Sequence, residues 1–151
     1  MQPLEKNFSR LLIFSGVFNI VLAAPLILPE FTAVYFSFLW DVNLFLSLGG
    51  TAPIAPQQAV NALLVNTAGI DLVLIGIIVI YAGLAPAKRL FIPVINAAGR
   101  TLFAGIIVYY IYTYNIAHII ALIGAIDLII SIGFVYFTLR IRKANKNVND
   151  Q

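Results

Sequence analysis

The chain has 151 residues, of which 62% are hydrophobic and 10% charged, with a formal net charge of +3. An ordinary soluble domain carries about 25% charged residues, so this is a membrane chain; its length admits about four spanning helices of about 20 residues each and no further soluble catalytic domain. Lacking cysteine, it has no disulfide, thiolate metal site or redox dithiol, and a single histidine, His118, cannot by itself build a zinc or bis-histidine haem site.

The first apolar segment runs from about Leu11 to Leu28, preceded by Lys6 and Arg10. A basic start, an apolar run and "VLA" at Val21 to Ala23 fit a secretory leader, but Asn19 inside the run and "PLILP" after it favour an uncleaved helix. The next stretch, Phe31 to Leu48, is apolar enough to suggest a fifth span. A span there would put Lys88 and Arg89 on the wrong side, so it reads as an outer-face segment at headgroup depth, with Tyr35 and Trp40 at the interface, or as a short cap over the bundle's outer mouth. Three further spans follow, Ala59 to Gly83, Val94 to Tyr114 and Ile116 to Leu139. From Arg140 to Gln151 comes a basic anchor and a frayed end, for which anionic lipid is the partner.

Lys6, Arg10, Lys88, Arg89, Arg100, Arg140, Arg142, Lys143 and Lys146 all lie at or near one set of segment ends, and neither Pro29 to Pro56 nor the turn at Asn115 carries a lysine or arginine. The positive-inside rule then puts both termini and the middle loop in the cytoplasm, with the chain in the cytoplasmic (inner) membrane. The positive charge reports orientation rather than a nucleic-acid partner. The whole chain reads as one all-α membrane domain, a four-helix bundle.

Two halves of the chain look alike. "PLEKNFSRLLIFSG" from Pro3 aligns with "PVINAAGRTLFAG" from Pro93, and the second and fourth spans share Ile-Asp-Leu, at Ile70 to Leu72 and Ile126 to Leu128. This suggests a parallel repeat of two helical hairpins, against chance similarity between glycine-rich apolar helices. Small residues recur every seven positions: Ser9, Gly16 and Ala23; Gly69, Gly76 and Gly83; Ala117, Gly124, Ser131 and Thr138. Lipid supplies little hydrophobic force between helices, so such stripes bring backbones together, and the seven-residue period implies left-handed packing.

Asp71 and Asp127 lie about 18 Å and about 17 Å from the outer ends of their spans, and Asn19 about 13 Å from an inner end, all near mid-depth. An aspartate at the centre of a span costs about 2.5 to 3.5 kcal/mol, so both acids are expected to point inward, protonated or paired with a cation. Arg100 is the cation within reach. Two readings follow. Asn19, Asp71, Asp127 and Arg100 form a buried polar network that fixes helix register, or they line a cavity that binds a polar ligand group or relays protons. Asn66 and Thr67, with Asn61, are candidates for a hydrogen bond between helices, a cap or the lining of an outer opening. Tyr109, Tyr110, Tyr112 and Tyr114 read as an aromatic belt, and His118 as an interfacial residue. No nucleophile elbow, phosphate loop, HExxH or glutamate-rich metal pattern occurs, which argues against hydrolase, nucleotide and metalloenzyme functions.

"RLLIFSG" in the first span, "GRTLFAG" opening the third, and the glycine-rich later helices are features in which Arg10 to Arg140 resembles the small bacterial four-helix membrane proteins called DoxX-like. Most of that group has no assigned activity; some are described as membrane subunits of quinone-linked oxidoreductases. Three functions are therefore expected in turn: a non-enzymatic accessory or assembly protein, acting with a protein partner or a second copy; a small-ligand or proton-coupled binder or transporter using the carboxylates; and, as the resemblance implies, a quinone-linked membrane subunit. No cofactor is expected under the first two.

Overall fold

In the computed structural model, residues 3–149 are described. Five helices follow one another: α1 Pro3–Ala23, running into a 3₁₀ turn at Ala24–Leu26; α2 Pro29–Phe45; α3 Ala59–Gly83; then, past a second 3₁₀ turn at Pro86–Lys88, α4 Phe91–Tyr114 and α5 Ile119–Asn149. α1, α3, α4 and α5 are long and apolar enough to cross a membrane. They form the expected four-helix bundle, with Pro3 and the last turns of α5 at one end of it (the terminal end) and α2 at the other (the far end).

Several boundaries differ from the hydropathy reading: the α-helix of the first span ends at Ala23 rather than Leu28, α4 starts at Phe91 rather than Val94 and α5 at Ile119 rather than Ile116, and two differences are larger. α1 is already helical at Pro3, the first described residue, rather than from near Leu11, so its polar first turns, with Glu5 and Lys6, belong to the helix. α5 continues ten residues past Leu139, through the segment expected to fray. No glycine or proline interrupts it there, and Ile141 is buried against Phe8 and Phe134. Gln151 and Asp150, the last of that expected tail, lie outside the described residues.

The helices pair as two antiparallel hairpins, α1 with α3 and α4 with α5. The small-residue stripes are the seams. In the first hairpin Ser9 Oγ donates to the Gly83 carbonyl at 2.6 Å, and Gly16 lies so close to Gly76 that a Cβ on Gly16 would sit 2.5 Å from the Gly76 oxygen. In the second, Gly124 packs on Ala104 and Ile107, and Ser131 Oγ reaches the Ala97 carbonyl at 3.2 Å. The registers are not the same. Arg100 is level with Asp127, whereas Arg10 is level with Gly83, twelve residues from Asp71. The hairpins resemble one another in sequence, yet their acids and arginines do not fall in equivalent places.

The hairpins meet through a core of Phe8, Leu12, Val79, Ala97, Ile130 and Phe134, concentrated in the terminal half. Phe8 stacks on Phe137 at 5.3 Å and meets Phe134 edge-on at 6.1 Å. In the connection between α3 and α4, the Arg89 guanidinium lies 3.5 Å over the Tyr81 ring and donates to the Tyr81 carbonyl.

At the far end α2 spans from the end of α1 to the start of α5. Asn43 ties it down: Nδ2 donates to the carbonyls of Leu48 at 3.0 Å and Gly49 at 3.2 Å, and Oδ1 accepts the Ile119 N–H at 2.8 Å, at the start of α5. Beside it, Thr51 N–H donates to Asn115 and His118 N–H to Gly49. Asn115 makes the turn by adopting a left-handed conformation, φ 50°, as its short polar side chain allows. Opposite it Gly50 has φ +99°, and a Cβ would collide with the Ile116 backbone. Asn43 is fully buried, so Asn43→Leu would strand the Ile119 N–H and two carbonyls at a cost of about 2–4 kcal/mol. Hydrogen exchange should show the first amides of α5 losing protection while mid-α4 keeps it; unchanged protection at Ile119 and Ile120 would contradict the tie.

Candidate functional site

Arg100 is the tenth residue of α4, about 13 Å along it, and lies three positions beyond Ala97 on the seam with α5. That places its side chain beside the line of close contact, directed across the bundle. It is 5% exposed, and Asp127 on α5 is 6% exposed. Their side chains form a salt bridge, Arg100 Nη1 to Asp127 Oδ1. The other guanidinium nitrogens are also engaged. Nε donates to Asn96 Oδ1 at 2.8 Å, one turn back on α4. Nη2 donates to Ser15 Oγ at 2.8 Å and Asn19 Oδ1 at 2.5 Å, both on α1. Ser131 Oγ, one turn after Asp127, donates to the Asp127 carbonyl at 2.8 Å.

The arrangement is electrically neutral and joins three of the four spanning helices. A planar fork of donors suits this better than an ammonium, because each nitrogen faces a different helix. Two charges removed from water are tolerable where their remaining hydrogen-bonding groups are satisfied, as the Arg100 nitrogens are here. Chemically, the cluster can hold a fixed register between α1, α4 and α5.

Of the residues singled out in the sequence, Asn19, Arg100 and Asp127 come together at this point. Asp71 does not. The expectation that it points inward is corrected by the packing of α3: Gly76 faces α1 and Gly69 the 3₁₀ turn that follows it, and Asp71, two residues after Gly69, is rotated about 200° away from that side. Asp71 is exposed on the outer surface of the bundle, as is Thr67 one turn before it. Asn66 is also remote from the ion pair; its Nδ2 donates to the Leu26 carbonyl at 2.7 Å, holding the 3₁₀ turn after α1 against α3. His118 packs its ring against Gly49. Among the described residues no group of three or more histidines or acids is placed to hold a metal ion.

Ser15, Asn96 and Ser131 belong to the network without being among the polar candidates of the sequence, where Ser131 counts only as a small residue on a helix stripe. The signal for each is helical spacing: Ser15 is four residues before Asn19, Asn96 four before Arg100, and Ser131 four after Asp127. An open hollow at the far end is lined by Val108, Ile111, Tyr112, Asn115, His118 and Ala121, and a second, smaller one lies between Pro29, Thr32, Pro56 and Asn66. Near the first, Tyr109, Tyr110 and Tyr114 cluster, with ring centroids 5.1 to 6.2 Å apart. No protein-family model, curated protein or solved structure matches this chain.

Proposed function

We infer that the chain is a non-enzymatic protein of the cytoplasmic membrane, an accessory or assembly component, with both termini and the α3–α4 connection in the cytoplasm. The observation that carries the reading is the Arg100 guanidinium, whose nitrogens all bond to groups of the chain itself, from α1, α4 and α5. Buried polar groups satisfied in this way serve register and uniqueness of packing. The orientation follows from Lys6, Arg10, Lys88, Arg89, Arg140, Arg142 and Lys143, which belong to the terminal end, while residues 29–58 carry no lysine or arginine. The DoxX-like resemblance of "RLLIFSG" and "GRTLFAG" agrees with a small bundle of this kind.

The test is native mass spectrometry of the protein released from lipid nanodiscs, comparing wild type with Ser15→Ala and Asp127→Asn. The expected spectra show a bare or lipid-decorated chain, the same for all three. A small non-lipid mass held by the wild type and lost from both variants would overturn the reading in favour of a ligand site at the ion pair.

A further inference from the structure

Asp71 sits near the middle of a 25-residue apolar helix and projects from the side opposite α1. The other ionisable groups deep in the spans, Arg100 and Asp127, neutralise each other within the bundle. Asp71 alone faces outward, where hydrocarbon offers its carboxyl no hydrogen-bond partner. A bare lipid-facing surface is a poor account of that position.

The residues around it have a definite pattern. Val60, Leu64, Thr67, Asp71, Leu74 and Ile78 follow one another at alternating spacings of four and three, and every one is exposed. This is the spacing of a coiled-coil seam, in which Leu64, Asp71 and Ile78 would take one class of core position and Val60, Thr67 and Leu74 the other. It runs along the face of α3 that the bundle leaves free. Of the two polar residues on this stripe, only Asp71 is ionisable, and a polar group at such a core position is a device that fixes register and copy number in parallel coiled coils.

We propose that α3 pairs with α3 of a second copy of this chain, in parallel and in register, with the two Asp71 carboxyls hydrogen-bonded to each other across a two-fold axis normal to the membrane. Copies inserted by the same route have the same orientation, so this axis makes their α3 helices parallel and sets each Asp71 at the same depth as its counterpart. The two carboxyl groups, each able to donate to and accept from the other, supply one another with hydrogen-bond partners, and Thr67 adds a hydroxyl one turn away. A heterologous helix would have to supply a matching polar group at the same depth; a second copy supplies it by symmetry. The inference goes beyond the accessory reading and is independent of it, since it needs only that α3 crosses the bilayer.

The chain contains no cysteine, so single cysteines report the contact cleanly. Purified full-length protein in liposomes at low protein-to-lipid ratio is oxidised and the disulfide-linked dimer measured. Leu64→Cys, on the seam, should cross-link strongly, and Leu102→Cys, exposed on α4, at background. Adding Asp71→Leu to Leu64→Cys should weaken dimerisation about tenfold, while Asp71→Asn, which keeps a hydrogen-bonding side chain, should retain most of it. The leucine variant removes a polar group from the outer surface, so loss of the fold is not the expected cause of failure. Cross-linking of Leu64→Cys no better than Leu102→Cys, or unaffected by Asp71→Leu, overturns the proposal.

Discussion

Arg100→Ala is expected to lower the unfolding free energy of the bundle by about 3–5 kcal/mol, among the largest effects of any single substitution in the chain. The loss comes mainly from what is left behind. Asp127 would remain buried without its cation, and Asn96, Ser15 and Asn19 would each lose a charged donor. Asp127→Ala should be comparably damaging for the converse reason. The double variant Arg100→Met with Asp127→Leu should recover most of the loss, because neither charge then has to be accommodated. Unfolding in mixed micelles by a denaturing detergent measures wild type, Arg100→Met, Asp127→Leu and the double variant, and the coupling energy of that cycle is the informative quantity. Additive losses, with no recovery in the double variant, would show that the ion pair is not a unit.

The second large effect is expected at the seam of α1 and α3. A Cβ on Gly16 would stand 2.5 Å from both the Gly76 oxygen and Ile80 Cγ1, and one on Gly76 2.7 Å from the Gly16 oxygen. The obstacle is backbone on both sides, so a small rotamer change gives no relief. Gly16→Ala should cost about 1–3 kcal/mol and Gly16→Ile more, as the hairpin is forced apart along its length. Gly99 and Gly105 on α4 supply the control, since a Cβ there meets nothing within 4 Å. Gly99→Ala and Gly105→Ala should be neutral or stabilising by up to about 1 kcal/mol, by lowering the entropy cost of helix formation. Equal losses at Gly16 and Gly99 would contradict close approach as the source of the difference.

The spanning helices are legible in the sequence because hydropathy and the placement of lysine and arginine both depend on the chain alone. Their ends are less so. Hydropathy overlooks the polar first turns of α1, helical from Pro3, the first described residue, and it stops at Leu139 although nothing there breaks α5. α2 was visible as an apolar segment at the far end, but its attachment depends on Asn43 meeting Ile119, 76 residues away, and no local pattern announces that bond.

The difference between the two acids was within reach. Asn19 and Asp127 each follow a seam glycine by three residues, Gly16 and Gly124, while Asp71 follows Gly69 by two. On a helix that one-residue difference is about 100° of rotation. It separates a position beside the seam from one opposite it. Depth alone treats both aspartates alike, and the repeat in the sequence reinforces the impression. What depth cannot convey is register, in which the two hairpins differ.

The position of Arg100 along the chain also bears on how the protein is made. Synthesis from the N-terminus delivers helices to the membrane in order. When Arg100 arrives, Ser15 and Asn19 are already in place, while Asp127 is still 27 residues behind. The neutral oxygens of α1 can therefore receive the guanidinium during the interval in which it has no counter-ion. Asp127 then enters opposite a charge that is already held in position. On this view Ser15 and Asn19 act as a nursery for Arg100 in biogenesis, a service that stability measurements on the finished protein would miss.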